Sequence, residues 1–447
     1  MAREHDGYGA DIPYLRDFKP MLAPAWLDHV ALLAGVEPPA RQNGFAWCDL
    51  GCGQGVTAAI LAATHPAGVF HGIDAMPEHI DHARRLAVDA RIPNLQFHAV
   101  DFAAAIDLEL PQFDYIVVHG VYTWISREAR QAVRRFCECR LKLGGLVYLG
   151  YNTMPGWACD LPFQGLLREL GRTLPGDNFA RFTAAAALAR TLASAGAQSL
   201  AASFMIKELR ERSEDYSPAY LVHEFMPAAW QPLYVTEVRR DMAEIGFEPI
   251  GSATLSENFD WMVLHQTARR MLATITEPDA RELVRDYYLD QRFRRDVFAR
   301  ENRRLGPEER RERLLSSTFM LARPVPEIRY TTTTPAGSFA YDSPAARVII
   351  AALAAGRPAG AKYLDAFLTL CAAGDVIPAE PGRRSVANLN RVLCARVDGP
   401  EEIRWLALPC GTAVEVDPGL LRALRDGRSI DDDRFPGWRH FLHSHGL

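Results

Sequence analysis

The sequence predicts an α/β protein that begins with a doubly wound, mostly parallel sheet and continues into helical and small α+β domains. Residues 1–160 alternate short apolar runs with helical patterns, which is the pattern of strands joined by crossover helices. A glycine-rich loop follows the first predicted strand. The chain has 447 residues, 48% of them hydrophobic, so it has material for two to four domains. In such a sheet, ligands bind at the carboxyl ends of the strands.

Five apolar runs predict the strands, at 47–50, 69–73, 95–100, 115–119 and 146–149. Helical patterns lie between them, at 54–63, 77–90 and 126–141. Residues 1–160 are therefore assigned to one ligand-binding core.

Residues 161–330 predict a mainly helical region. Its clearest helix is at 179–197, and the charged run 276–315 is predicted to be helical as well. Strands predicted at 246–253 and 261–265 would complete the core sheet. The threonine run at 331–334, followed by Pro335 and Gly337, predicts a linker. Residues 338–447 then predict a small α+β domain of winged-helix type, with a strand at 403–407.

Composition excludes several classes of function. The net charge of −5 and the pI near 6.2 do not favour a nucleic-acid partner. The longest apolar run, at 348–355, is too short for membrane insertion, and residues 1–20 lack the apolar core of a signal peptide, so a cytoplasmic location is expected. The eight cysteines do not have the spacing of a disulfide framework. Cys48 and Cys52 have metal-like spacing, as do Cys137 and Cys139, but the first pair brackets a strand end and the second lies in a helical pattern, so no metal is predicted.

The most informative motif is the loop Asp49-Leu-Gly-Cys-Gly-Gln-Gly55, which opens a helix directly after the first strand. Gly51, Gly53 and Gly55 let the backbone turn tightly and approach a ligand closely. A GxGxxG loop followed by an acid would predict a dinucleotide, with its pyrophosphate on the helix N-terminus. Here the loop is preceded by Asp49, whose carboxylate favours an ammonium group over a phosphate. S-adenosylmethionine (SAM) carries an ammonium group and has no phosphate.

Two further acids follow the next two strands. Asp74 ends the second strand, with Ala75 and Met76 directly after it, and a carboxylate there can accept both hydroxyls of a ribose. Asp101 ends the third strand, where it can accept the adenine amine while Phe102 flanks the ring. Three acids at the ends of successive strands, beginning with the glycine loop, together predict a SAM site.

With these motifs the sequence resembles the class I SAM-dependent methyltransferases. More narrowly, it is similar to a bacterial group that carries a methyltransferase regulatory domain and includes the rickettsial-type protein lysine methyltransferases. The segments that carry this resemblance are 113–124, 151–157, 220–225, 246–250 and 292–295. The resemblance implies the class I methyltransferase sheet, SAM as cofactor with S-adenosylhomocysteine as product, and a homodimer.

Candidate residues for the acceptor pocket follow the fourth and fifth strands: His119, Tyr122, Trp124, Tyr151, Asn152 and Trp157. Tyrosine and tryptophan faces can hold a methylammonium product or the sulfonium by cation–π attraction. Trp124 and Trp157 are equally consistent with packing beneath the site. His119 is interpreted as a hydrogen-bonded orienting residue beside the cofactor, with a general base as the alternative. Tyr8 and Tyr14 are read either as a lid over the cofactor or as ordinary anchors.

The leading hypothesis is a methyltransferase that acts on the side-chain amine of protein lysine, with later domains that dimerise or dock the substrate. Neither stretch that holds these candidates, 119–124 or 151–157, contains Asp or Glu to act as a strong base for a hydroxyl acceptor. The alternative is a small-molecule or glycan N- or O-methyltransferase on the same core. A sensor or scaffold without catalysis is a third reading, which the intact glycine loop and acids disfavour.

Overall fold

The computed structural model describes residues 4–5, 8–9, 16–211, 225, 227, 229–357, 364–380, 385–399, 403–430 and 433–447. Tyr14 and residues 220–224 lie outside the described residues. The lid or anchor role of Tyr14 and the resemblance at 220–224 therefore stay predictions. Tyr8 is described only as part of a two-residue strand, so its predicted role also stays a prediction.

A seven-stranded sheet forms the centre of the molecule. A short hairpin of β1 (Glu4–His5) and β2 (Tyr8–Gly9) comes first along the chain. The strands of the central sheet are then β3 (Phe45–Leu50), β4 (Gly68–Asp74), β5 (Leu95–Ala99), β6 (Phe113–His119), β7 (Leu141–Asn152), β8 (Glu248–Ser252) and β9 (Phe293–Ala299). Their spatial order is β5-β4-β3-β6-β7-β9-β8, and β9 runs antiparallel to both of its neighbours, β7 and β8, while the other pairs are parallel. The predicted mostly parallel sheet is confirmed.

Helices cover both faces of the sheet, as a doubly wound fold requires. The core helices are α1 (Pro24–Leu33), α2 (Val56–Thr64), α3 (Pro77–Asp89), α4 (Phe102–Ala105) and α5 (Arg127–Arg140). Side chains of α1, α2 and α3 pack with Trp47 and Tyr115 on one face. Those of α4 and α5 pack with Cys48 and Ile116 on the other. Residues alternate between faces along each strand, so neighbours in sequence contribute to different cores.

A helical layer follows the core. It consists of α6 (Leu161–Thr173), α7 (Asn178–Ser194) and α8 (Phe204–Glu211). The chain then returns through α9 (Val235–Ala243) to β8, and continues through α10 (Asp260–Val263), α11 (Gln266–Leu272) and α12 (Pro278–Leu289) to β9. No helix among the described residues is long and apolar enough to cross a membrane.

Three predictions for residues 261–334 are wrong, one of them only in part, because the run 276–315 does contain the helices Pro278–Leu289 and Pro307–Ser316. The run predicted as helix at 276–315 contains the strand β9. Arg294 and Asp296 of this strand appear as surface charges in the sequence, but in the fold they are buried and paired with each other. The strand predicted at 261–265 is instead a helical turn in which Leu264 N donates to Asp260 O. The linker predicted at 331–334 is β11 (Thr331–Thr334), paired with β12 (Gly337–Ala340), since β-branched threonines suit a hairpin.

The C-terminal part follows α13 (Pro307–Ser316). Its remaining elements are β10 (Phe319–Leu321), α14 (Pro344–Ala354), α15 (Leu364–Ala372), β13 (Val376–Pro378), α16 (Ala387–Ala395), β14 (Trp405–Leu408), β15 (Thr412–Glu415), α17 (Pro418–Arg425) and α18 (Trp438–Ser444). The predicted α+β character is seen here, with β10 paired to β13 and β14 to β15. This part shares one hydrophobic cluster with the α1–α3 face of the sheet. The winged-helix assignment stays a prediction.

Candidate active site

The glycine loop lies at the carboxyl end of β3, beside β6, where the strand order reverses direction. Gly51, Gly53 and Gly55 all have positive φ, at 83°, 52° and 74°. A Cβ on Gly51 would lie 2.3 Å from a methyl carbon of Val121, and one on Gly55 would lie 2.5 Å from the Cβ of Ala83. The loop therefore requires glycine both for its backbone conformation and for its close packing.

The carboxylate of Asp74 is fixed beside this loop by backbone amides. Its Oδ2 accepts from Gly53 N at 2.9 Å, and its Oδ1 accepts from Met76 N at 2.9 Å. His79 Nδ1 lies 3.3 Å from the same Oδ1, and Ala75 spans the turn between the acid and Met76. A carboxylate oxygen can accept more than one hydrogen bond, so Asp74 retains acceptor capacity for two vicinal hydroxyls.

Asp49 is buried at the end of β3, and only 5% of its surface is exposed. Burial, reinforced by the nearby Asp74 carboxylate, raises the pKa of Asp49 to about 8. A cation beside Asp49 would favour the ionised carboxylate and offset the free-energy cost of burying its charge near Asp74. The pair of acids therefore suits a ligand that presents an ammonium group and ribose hydroxyls together.

Asp101 caps a short helix. Its Oδ1 accepts from Ala104 N at 2.7 Å, which fixes the start of α4. Phe102, the first residue of α4, is buried with 8% of its surface exposed. Both residues lie at the carboxyl end of β5, as predicted, and their contacts with adenine stay a prediction.

His119 ends β6 and is held by a tyrosine that the sequence motifs do not indicate. Its Nδ1 lies 2.8 Å from the hydroxyl oxygen of Tyr148, on the neighbouring strand β7. A Cβ on Gly150 would lie 2.9 Å from both atoms, so glycine leaves the room for this pair. Burial and the positive charges of Lys19 and Arg295 hold the pKa of His119 well below its usual range. The imidazole is therefore neutral and oriented.

The two phenols predicted for the acceptor pocket are fully buried. The hydroxyl of Tyr122 donates to Asp241 Oδ2 at 3.1 Å, and that carboxylate also pairs with Arg134. The hydroxyl of Tyr151 donates to Asp296 Oδ2 at 2.7 Å. Burial raises the pKa of both phenols. In this structure the two hydroxyls bond to carboxylates of the chain itself.

Asn152 joins the two aromatic segments. Its backbone N donates to the hydroxyl of Thr123 at 3.2 Å, and its carbonyl accepts from Leu233 N at 3.2 Å. The carboxyl ends of β6 and β7 are thus tied together and to the segment that leads into α9.

Trp124 and Trp157 belong to one aromatic cluster together with Trp230, which no sequence motif indicates. The ring of Trp230 lies 5.8 Å from that of Trp124 and 5.0 Å from that of Trp157. The Arg292 guanidinium lies 4.1 Å above the Trp157 ring, and Trp157 Nε1 donates to the Arg292 carbonyl at 2.8 Å. Both predicted indoles are buried among helical-layer residues. These contacts agree with the alternative that Trp124 and Trp157 pack beneath the site and do not line the acceptor pocket.

The sequence could not have indicated Lys19, Tyr148 or Arg295 as neighbours of His119, because they lie on three separate parts of the chain. Arg295 is opposite Gly150 in the β7–β9 pairing, which brings it to the end of β6. Among the described residues no group of three or more His, Cys, Asp or Glu side chains could hold a metal ion.

Two family models match the chain. Residues 48–145 match a methyltransferase domain, and residues 217–300 match a predicted methyltransferase regulatory domain. The second match contains β8 and β9, so the regulatory segment supplies the last two strands of the central sheet.

Several known proteins are similar to the whole chain or to part of it. The uncharacterized protein sll1526 of Synechocystis is 33% identical over 352 residues, which cover 79% of this chain and 70% of that protein. The uncharacterized protein RP028 of Rickettsia prowazekii is 32% identical over 147 residues, 33% of this chain and 56% of that protein. The structure of PKMT2 from Rickettsia typhi in complex with AdoHcy superposes with a TM-score of 0.71 at 18% identity, covering 97% of this chain and 92% of PKMT2. At that identity the superposition shows the shared fold.

Proposed function

The chain belongs to the class I SAM-dependent methyltransferases that carry a methyltransferase regulatory domain, and we propose that its methyl acceptor is the side-chain amine of protein lysine. SAM is its cofactor and S-adenosylhomocysteine its product. The similarity to PKMT2 supports a lysine acceptor, and so does the sequence resemblance to rickettsial-type protein lysine methyltransferases.

The cofactor roles proposed from the sequence fit the geometry of the loop. The glycines keep side chains away from the cofactor, Asp49 accepts its ammonium group, and Asp74 accepts its ribose hydroxyls. Asp101 and Phe102 bind the adenine. SAM supplies an electrophilic methyl group, and the remaining task of the chain is to align the acceptor and exclude water.

The observation that carries the lysine proposal is the environment of His119 at the end of β6. A free lysine amine has a pKa of about 10.4, so only about one in 10³ is neutral and nucleophilic at pH 7. Burial and the charges of Lys19 and Arg295 disfavour a proton on His119. An acceptor amine that entered the same environment would lose its proton for the same reasons, and no added base would be required.

The exposed apolar residues of the helical layer supply the proposed surface for a second copy of the chain or for docking of the substrate. Phe179, Leu188 and Leu192 of α7 expose 43%, 41% and 37% of their surface, and Phe204 of α8 exposes 47%. A homodimer through this layer is part of the proposal. A cytoplasmic site of action also stays a prediction.

The test uses methyl-labelled SAM and a lysate of the organism that makes the protein. After incubation, protein is separated from metabolites and glycans, with Asp74→Ala as the enzyme control. Label in the protein fraction that depends on Asp74 supports the proposal. Label confined to small molecules or glycans would contradict the lysine proposal and favour the alternative, a small-molecule or glycan N- or O-methyltransferase.

A further inference from the structure

We propose that the C-terminal domain sets the affinity for the cofactor through one hydrogen bond, from Trp405 to Asp17, which positions residues 16–19 over the start of α2. These four residues are called the strap below. Both family models end at or before residue 300, so they assign no role to Trp405. The proposal concerns cofactor binding and does not depend on the identity of the acceptor.

The C-terminal domain contacts the strap at two places. Trp405, the first residue of β14, donates from Nε1 to Asp17 Oδ1 at 2.6 Å. The ring of Trp405 also meets the ring of Phe18 edge-on, with centroids 5.4 Å apart. Phe18 is 1% exposed and belongs to the cluster shared by the sheet and the C-terminal domain. A charged hydrogen bond and an aromatic contact thus fix the strap from one side.

The other side of the strap is bonded to the helix that the glycine loop opens. The Thr57 hydroxyl lies 3.3 Å from the Asp17 carbonyl, to which it donates, and it accepts from Lys19 N at 3.1 Å. Thr57 is the second residue of α2 and lies two residues after Gly55. The strap is therefore attached directly to the first turn after the cofactor loop.

The strap also reaches the opposite side of the candidate site. The Lys19 ammonium pairs with the Asp17 carboxylate and is near enough to His119 for its charge to lower the pKa of that side chain. His119 ends β6, while Thr57 follows β3, and these two strands are neighbours. The strap thus crosses the carboxyl ends of the two strands between which the cofactor is expected.

Trp405 acts through Asp17, so it is a positioning residue. With the hydrogen bond in place, the strap is held before the cofactor arrives, and binding does not have to order it. Without the bond, part of the binding free energy would be spent on ordering the strap, and affinity would fall. Since Thr57 still holds the strap, only part of the strength of a charged hydrogen bond would be lost.

The test measures SAM binding by isothermal titration on the full chain. Trp405→Phe keeps an aromatic ring against Phe18 and removes the donor. The matched control is Trp438→Phe, because Trp438 Nε1 donates to Glu327 Oε1 at the same 2.6 Å elsewhere in the C-terminal domain. Asp17→Ala removes the acceptor from the other side, and Asp17→Asn restores an oxygen that can accept the indole N–H.

We expect the dissociation constant for SAM to rise about fivefold in Trp405→Phe and Asp17→Ala, and to stay within about twofold of the wild type in Trp438→Phe and Asp17→Asn. Thermal unfolding without SAM should be similar in the two tryptophan variants. Equal loss of affinity in both tryptophan variants would show a general stability effect and overturn the proposal. Unchanged affinity in Asp17→Ala would overturn it as well, even if Trp405→Phe failed to fold.

Discussion

The backbone amide of Gly53 donates to the carboxylate of Asp74 at 2.9 Å, so the middle glycine of the loop and the acid that ends β4 form one unit. The two residues are 21 positions apart in the chain. Parallel pairing of β3 with β4 brings them together, since the carboxyl ends of parallel strands share one edge of the sheet. This unit is the basis of the first prediction.

Replacing Asp74 with alanine should weaken SAM binding about 10- to 100-fold, because hydrogen bonds to a charged acceptor are lost at the ribose. Isothermal titration measures this, with Asp81→Ala as the control, since Asp81 lies exposed on the following helix. Replacing Gly53 with a bulky residue should abolish SAM binding as well, because its side chain would occupy the space where the cofactor approaches the backbone. Wild-type affinity in both variants would contradict the site assignment.

Gly51→Ala should destabilise the fold more than an ordinary positive-φ substitution. Gly51 has φ of 83° and Gly144 has φ of 79°, so alanine is similarly strained at both. The new Cβ at Gly51 would meet Val121 at 2.3 Å, whereas that at Gly144 would meet nothing within 4 Å. We expect a loss of about 2–5 kcal/mol in the free energy of unfolding for Gly51→Ala and about 1–2 kcal/mol for Gly144→Ala. Equal losses in denaturant unfolding would show that close packing at Gly51 is unimportant.

Cofactor affinity should rise with pH up to about 8. In the free protein the pKa of Asp49 is about 8, so the carboxyl is largely protonated at neutral pH. An ammonium ligand prefers the ionised form, so binding below that pKa releases a proton, and raising the pH tightens binding by up to about tenfold per unit. The affinity is measured by titrating the protein with S-adenosylhomocysteine, which carries the same ammonium group, at a series of pH values up to about 8. Asp49→Asn should flatten the profile, and an unchanged profile in that variant would assign the proton to another group.

Light scattering should show a dimer at micromolar concentration. Replacing both Leu188 and Leu192 of α7 with glutamate should convert the dimer to a monomer, because two charges would be buried at the interface. Val348→Glu is the control, as Val348 is an exposed apolar residue of α14 in the C-terminal part. A wild-type chain that is only monomeric would remove the dimer from the proposal and leave the methyltransferase assignment intact.

The sequence predicted the parts of the fold that follow from local patterns. The five parallel strands of the core are short buried apolar runs, and their order along the chain predicts which acids meet at the sheet edge. The strand β9 was missed because Arg294 is neutralised by Asp286 and Asp296, a pairing that depends on residues distant in space. A charged residue in a buried strand cannot be distinguished from a surface charge by periodicity alone.

The same limit applies to the site. Gly51, Asp49 and Asp74 were identifiable because motif spacing and strand ends specify them. Tyr148 and Arg295 were not, since only the pairing of β7 with β6 and β9 brings them to His119. The candidate acceptor residues lie at the carboxyl ends of β6 and β7, although Tyr151 and Asn152 are the last residues of β7 and do not follow it. The burial of Trp124 and Trp157 against the helical layer depends on Trp230, more than 70 residues later in the chain.

The central claim is tested most directly by identifying the methylated atom. Protein labelled with methyl-labelled SAM is hydrolysed in acid, and the amino acids are separated against mono-, di- and trimethyllysine standards. A parallel sample is treated with mild base, which removes methyl esters and leaves N-methyl groups. The proposed function predicts base-stable label that coelutes with methylated lysine and is absent with Asp74→Ala. Base-labile label, or label in any other amino acid, would contradict it.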